Sequence, residues 1–273
     1  MDPSRILIWN VRGLNSSSRQ DSLRSLVDSS RSDIVCVQET KIADFSCRII
    51  LSSLGADFSD FVVVPSVGAS GGILIAWRRH IGVSGVQRVD NNSVTIQFAA
   101  RDGQAWWLTC VYGPQGNDDK IQFLQELRDI RAACPGPWII VGDFNLIYKD
   151  EDKNNANYNR AMMGRFRRFI NDLALKEIPL HGRKFTWSNQ QVSPTLVKLE
   201  SSALWTGRIY FLIVCFRVWL RMIHITALFC LACVIALRDV AGFILSPSGP
   251  NLVVFRKPFP QRGPLFLLVL VLS

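Results

Sequence analysis

Histidine is scarce, three residues in a chain of 273, and the seven cysteines never fall into a metal-ligand spacing. No CxxC…CxxC run or mixed Cys/His pattern is there to hold zinc, and Cys230 with Cys233 is a lone C-x-x-C that reads as coincidence. The odd count, with most thiols inside apolar runs such as Ile34-Val35-Cys36-Val37, reads as buried free thiols in a reducing compartment. Residues Met1 to Gly13 lack the basic region, apolar run and cleavage site of a secretory signal, so a nuclear or cytoplasmic location is expected and secretion is not. Charged residues are few, 19% against 48% hydrophobic, which excludes a disordered chain and leaves material for one large core or two modest ones.

Acids are missing from one region above all. From Ser201 to Ser273, Asp239 stands alone against Arg208, Arg217, Arg221, Arg238, Arg256, Lys257 and Arg262, so that stretch holds +6 of the formal net charge of +9. Residues 1–200 are barely basic, and the overall charge is weak evidence for a nucleic-acid partner. The same stretch is nearly continuously apolar from Ile209 to Leu237 and again from Pro264 to Leu270. A membrane span needs roughly 20 apolar residues. Arg217, Arg221 and His224 interrupt the first run and the second is shorter still, so a membrane partner is not expected.

Residues 5–200 alternate short β-rich runs with amphipathic helices. Strands are expected over Ile6–Val11, Asp33–Gln38, Phe61–Val64, Gly72–Trp77, Ser93–Phe98, Trp106–Tyr112 and Trp138–Val141. One helix follows Asp118-Asp119, with Phe123, Leu124, Leu127 and Ile130 on one face; another sets Met162, Phe166, Phe169, Ile170 and Leu173 on a face and Arg165, Arg167 and Arg168 off it. Irregular spacing with few βαβ repeats predicts a layered α/β fold with largely antiparallel sheets.

Several of these strands end in polar residues that a plain core has no use for. Ile6 to Trp9 runs into Asn10; Ile34 to Val37 runs into Gln38, Glu39 and Thr40; Trp107 to Val111 ends at Tyr112; Ile139 to Gly142 delivers Asp143, Phe144 and Asn145. Singly, each reads as a cap or a turn residue. Together, an amide beside separated carboxylates suits a hard divalent ion that polarises a phosphoryl oxygen, with Tyr112 donating to the phosphate.

Their order carries more. The segments Ile8 to Leu14, Val37 to Lys41, Ser70 to Leu74, Val111 to Pro114, Gly142 to Asn145 and Gly182 to Asn189 resemble, in sequence, the endonuclease/exonuclease/phosphatase superfamily. More narrowly they are similar to the endonuclease that opens the second reading frame of plant LINE-type non-LTR retrotransposons. The resemblance implies a four-layer α/β/β/α sandwich of two mainly antiparallel sheets over residues 1–200, and phosphodiester hydrolysis with Mg²⁺ or Mn²⁺. It implies Glu39 as the metal carboxylate, Asn10 as its neighbouring ligand or phosphate contact, Tyr112 as a phosphate donor, Asp143 as the group that orients or deprotonates water, and Asn145 as the amide that holds the phosphoryl group. Thr186 falls where the family meets the nucleic-acid backbone, and Arg183 and Lys184 are candidate phosphate contacts, with a solvated loop the equal alternative. The implied partner is the DNA backbone, for a monomer that needs no small-molecule cofactor. A dead nucleic-acid-binding remnant and a membrane-attached phosphoesterase are the alternatives.

The chain departs from the family after Glu200, which stands where an aspartate is usual. No Ser-Asp-His follows, and His80, His181 and His224 are all out of context for it. Residues 201–273 are therefore expected to be a frameshifted remnant that leaves the fold incomplete at the C-terminus. Read one base upstream, Trp205-Thr206 and Met222-Ile223 each force an Asp codon, and codons with a central T generate an apolar stretch without selection for a bilayer. An impaired enzyme is the expectation.

Overall fold

The structure, a computed structural model, describes residues 4–68, 70–99, 105–178, 184–189, 191, 193–205, 212–217 and 267–272. Its central strands are buried on both faces, and residue parity shows why. In β1 (Ser4–Asn10), β2 (Ile34–Gln38) and β4 (Ile73–Trp77), one alternate set, Ile6, Ile8, Ile34, Cys36, Ile73 and Ile75, faces a second sheet. The other set, Leu7, Trp9, Val35, Val37 and Leu74, packs on Leu23, Val27 and Ile50 of α1 (Ser17–Ser30) and α2 (Cys47–Ser53). The second sheet repeats this. Leu108, Cys110, Ile139 and Val141 of β7 (Trp106–Tyr112) and β8 (Trp138–Asp143) point inward, while Trp107, Trp138 and Ile140 meet α3 (Asn117–Ala133) and α4 (Arg160–Asp172). Two sheets covered by helices on their outer faces make the four-layer α/β/β/α sandwich.

The remaining strands are β3 (Asp60–Val64), β5 (Val83–Val89), β6 (Ser93–Phe98), β9 (Leu175–Glu177), β10 (Trp187–Ser188), β11 (Leu196–Val197), β12 (Glu200–Trp205), β13 (Leu212–Arg217) and β14 (Leu267–Leu272). The sheet orders are β14-β13-β1-β2-β4-β3 and β5-β6-β7-β8-β12-β9, with β10 and β11 as a separate antiparallel pair. Antiparallel pairing predominates, and two of the parallel steps matter most. β1 runs beside β2 with Asn10 opposite Gln38, and β7 beside β8 with Tyr112 opposite Asp143. Each step brings two strand C-termini to the same edge.

The expected strands and both expected helices are present, and α3 and α4 bury the predicted faces. The elements not expected are α1, α2, the irregular β5 and β9 to β14; β12 pairs with β8 and β9, and β13 with β1, so strands from the stretch expected to lie outside the fold extend both sheets. Helix α1 is serine-rich and buries only Leu23, Leu26 and Val27; it is held by its ends, where Ser16 accepts from the Arg19 N–H and Arg31 closes it in the left-handed region. Helix α2 is too short to show a period, β5 is broken by a register shift between Val83 and Gln87, and β9 spans three residues. Among the described residues, no helix is long and apolar enough to cross a membrane.

Candidate active site

The four strand tips meet across the two sheets. The Asn10 amide Nδ2 donates to Asp143 Oδ2 at 2.8 Å, joining β1 to β8, and the Arg12 N–H donates to Asn10 Oδ1 at 3.2 Å, which fixes the amide's orientation. The other carboxylate oxygen, Oδ1, accepts from the Asn145 N–H at 2.9 Å, and the Asn145 side chain donates to the Gly113 carbonyl at 2.6 Å. That closure needs glycine twice. A Cβ on Gly142, at φ +128°, would stand 2.2 Å from the Val111 carbonyl oxygen, and one on Gly113 would stand 2.2 Å from that of Phe144.

Strain collects at the same edge. Arg12, Glu39, Lys41 and Asn145 all hold left-handed backbone, at φ of 52°, 54°, 56° and 50°. A residue with a Cβ loses roughly 1–2 kcal/mol there, a cost that persists where a site dictates the geometry.

Electrostatics follow from burial. Asp143 is 3% exposed, and burial pushes its carboxyl pKa up. The Asn145 N–H, the Asn10 amide and Arg12 oppose that rise, while the charge on Glu39 adds to it. Burial, then the charges of Glu39 and Asp143, push Tyr112 up strongly, so its hydroxyl stays protonated at neutral pH and is a standing donor beside Glu39. The Lys41 ammonium sits 3.1 Å from Glu39 Oε1.

Lys41 and three further groups, Lys120, Arg12 and Trp187, take no role in the sequence reading and also belong here. Lys120, in the first turn of α3, is half-buried; burial lowers its pKa and Asp143 raises it back. Its spacing of three from Phe123, which puts a cation beside an apolar face, was the available signal. Arg12 lies over the Trp187 ring, with 5.7 Å from the guanidinium carbon to the ring centre. This contact ties the end of β1 to the β10–β11 pair and is worth about 0.5–1 kcal/mol where exposed.

The nucleic-acid residues expected from the sequence divide. Arg183 lies outside the described residues. Lys184 is exposed, its ammonium 5.4 Å from the Phe185 ring centre. Thr186 differs from a direct backbone contact: it is buried, and its hydroxyl accepts from the Leu199 N–H at 3.0 Å while facing the Val197 carbonyl at 3.5 Å. The hydroxyl pins β10 to the segment after β11.

Histidine takes no part among the described residues. His80 lies 3.3 Å from Asp33 Oδ1, before the start of β2. The rise of a strand puts that about 20 Å from Glu39 at the other end.

Among the described residues no group of three His, Cys, Asp or Glu side chains is placed to hold a metal. The donor set nevertheless fits a hard divalent ion. Mg²⁺ needs only one or two carboxylates beside water and phosphate oxygens. Glu39 and Asp143 repel each other, a tension a cation would relieve, and Asn10 Oδ1 keeps a second lone pair.

Residues 7–198 match the family model described as Endonuclease/Exonuclease/phosphatase family, and the chain belongs to that family. Its enzymes are nucleases and phosphatases that act on phosphate esters, generally with divalent metals. An exodeoxyribonuclease of Bacillus subtilis (strain 168) is 24% identical over 173 residues, covering 59% of this chain and 66% of the relative, just under two thirds of its length. Three solved structures share the fold. They are the AP endonuclease LMAP from Leishmania major (TM-score 0.57, 16% identity, 72% of this chain and 77% of that one), the endonuclease domain of TRAS1, a telomere-specific non-LTR retrotransposon (0.55, 15%, 74% and 84%), and the 3′ phosphatase NExo from Neisseria bound to product DNA hairpin (0.55, 16%, 72% and 85%).

Proposed function

We propose that this edge is a divalent-metal-dependent phosphodiesterase site for DNA, that of the nicking endonuclease of a plant LINE-type element, and that hydrolysis is impaired in this chain. The observation that carries the reading is the Asn10–Asp143 bond across two sheets, which builds one anionic, donor-lined site from strand tips otherwise far apart in sequence.

Mg²⁺ or Mn²⁺, held by Glu39 and Asn10, would supply Lewis acidity to a phosphoryl oxygen. Asp143 takes the proton of the attacking water, its raised affinity making it a stronger base than a free carboxylate. The Tyr112 hydroxyl and the second N–H of Asn145 donate to non-bridging oxygens as charge builds. The P–O bond to the leaving sugar oxygen then breaks, and that oxygen needs a proton or a strong donor. Asn10 and Asn145 already spend one N–H each inside the site, Tyr112 holds its proton tightly, and no described histidine reaches it. Loss of one donor of this kind lowers the rate on the order of 10²- to 10³-fold.

Supercoiled plasmid tests this in Mg²⁺ against EDTA. The expected outcome is salt-dependent DNA retention with nicking no faster than in Asp143→Ala. Robust nicking that Asp143→Ala abolishes would keep the endonuclease and refute the impairment; a chain that neither retains nor nicks DNA would refute the DNA reading. The frameshift origin of residues 201–273 rests on their composition, and a small deletion between the codons of Lys198 and Ala203, relative to sister copies, would establish it. On this reading the protein acts on DNA as a monomer, in the nucleus or the cytoplasm.

A further inference from the structure

Arg12 differs from the other cations at the site. Lys41 is engaged by Glu39 and Lys120 is half-buried, whereas Arg12 makes no ion pair with a described carboxylate and lies on an aromatic face. Its backbone N–H donates to Asn10 Oδ1, and its φ of 52° puts it in the left-handed region at the end of β1. The guanidinium is near enough to Asp143 and Tyr112 to favour the ionised form of both. It therefore sits between the reacting groups and the β10–β11 pair.

A guanidinium stacked on a ring keeps its edge N–H donors, and the ring fixes the plane in which they lie. An Arg that merely stapled β10 to β1 would not need a left-handed backbone, because a partly exposed cation–π contact is worth no more than that conformation costs. We propose that Arg12 and Trp187 form a grip for a backbone phosphate next to the bond being cut: Trp187 sets the guanidinium plane and Arg12 donates two parallel N–H groups to two phosphate oxygens. The proposal rests on the DNA reading above and names the residues that would seat the strand.

The test is anisotropy of a labelled DNA duplex titrated with the full chain in EDTA over a KCl series. Arg12→Ala is expected to weaken binding several-fold at low salt and to reduce the slope of log K against log[salt] by about 0.9, one phosphate contact. Arg12→Lys should restore the slope and leave the affinity low, since an ammonium cannot present two planar donors. Trp187→Leu should keep the slope with weaker binding. Wild-type binding with an unchanged slope in Arg12→Ala overturns the grip alone, and wild-type chain without salt-dependent binding overturns the DNA reading and the grip together. Should Arg12→Ala fail to fold, Arg12→Lys with wild-type affinity overturns it.

Discussion

The two ends of the same strands are built on opposite principles. At the carboxyl ends of β1, β2, β7 and β8, polar groups are buried, backbone is strained, and the Asn10 amide and the Asn145 N–H are aimed at Asp143. At the other end of β2 and β4, charge is abundant, and each ion pair has one member open to water. Arg78 pairs with Asp57 at 2.6 Å, with 76% of the Asp57 side chain accessible, and His80 meets Asp33 with 51% of the imidazole accessible. Water screens such pairs to 0–1 kcal/mol. Charge count alone would rank the ends equally; burial and strain separate them, and only the first end holds a site that could do chemistry.

The strongest way to break the contrast uses one glycine inside β8 and one in the turn before it. Gly142→Ala places a methyl 2.2 Å from a backbone oxygen that cannot yield, at φ +128°, and should cost on the order of 3 kcal/mol or more. Gly136→Ala, at φ +95° with open space around the position, should cost only the strain of the left-handed region, roughly 1–2 kcal/mol. Urea unfolding of both variants decides; equal losses would show that the site edge is no more tightly built than the turn before β8.

Burial at the site also predicts a pH signature. The folded state holds the Asp143 proton more tightly than the unfolded chain does. The stability this contributes is complete below the unfolded value, about 3.9, and is lost as pH rises through the raised folded value. Between pH 4 and neutrality the wild-type unfolding free energy should therefore fall relative to Asp143→Ala, and the difference should level off above the folded value. A wild-type minus variant difference that is flat, or that rises with pH, would mean that the Asn10 and Asn145 donors outweigh burial.

How much of this was legible in the sequence depends on the range of the cause. The ends of β6 and β7 could be read because an apolar alternation stops at a turn, and the α3 face because Phe123, Leu124, Leu127 and Ile130 recur at helical spacing. Helix α1 could not, because its stability resides in caps and three buried residues rather than in a stripe. The tips Asn10, Glu39, Tyr112 and Asp143 stood out as polar ends of apolar runs. That Asn10 bonds Asp143, or that Arg12 meets Trp187, depends on how two sheets pack, which no local pattern encodes. The buried Thr186 hydroxyl shows the converse, a motif residue whose place in the sequence suggested a contact and whose bonds are internal.

The smallest expected effect is the most discriminating for histidine. His80→Ala removes a half-exposed imidazole whose only described ion-pair partner, Asp33, keeps the Arg5 N–H at 2.9 Å on its other oxygen. Asp33 is not orphaned, so the loss should stay within about 0.5 kcal/mol by urea unfolding. Plasmid retention and nicking should match wild type, because about 20 Å of strand separates His80 from the reacting groups. A His80→Ala chain that lost DNA retention while keeping its unfolding midpoint would place nucleic acid at the exposed end, and the division between a chemical edge and a solvated edge would have to be redrawn.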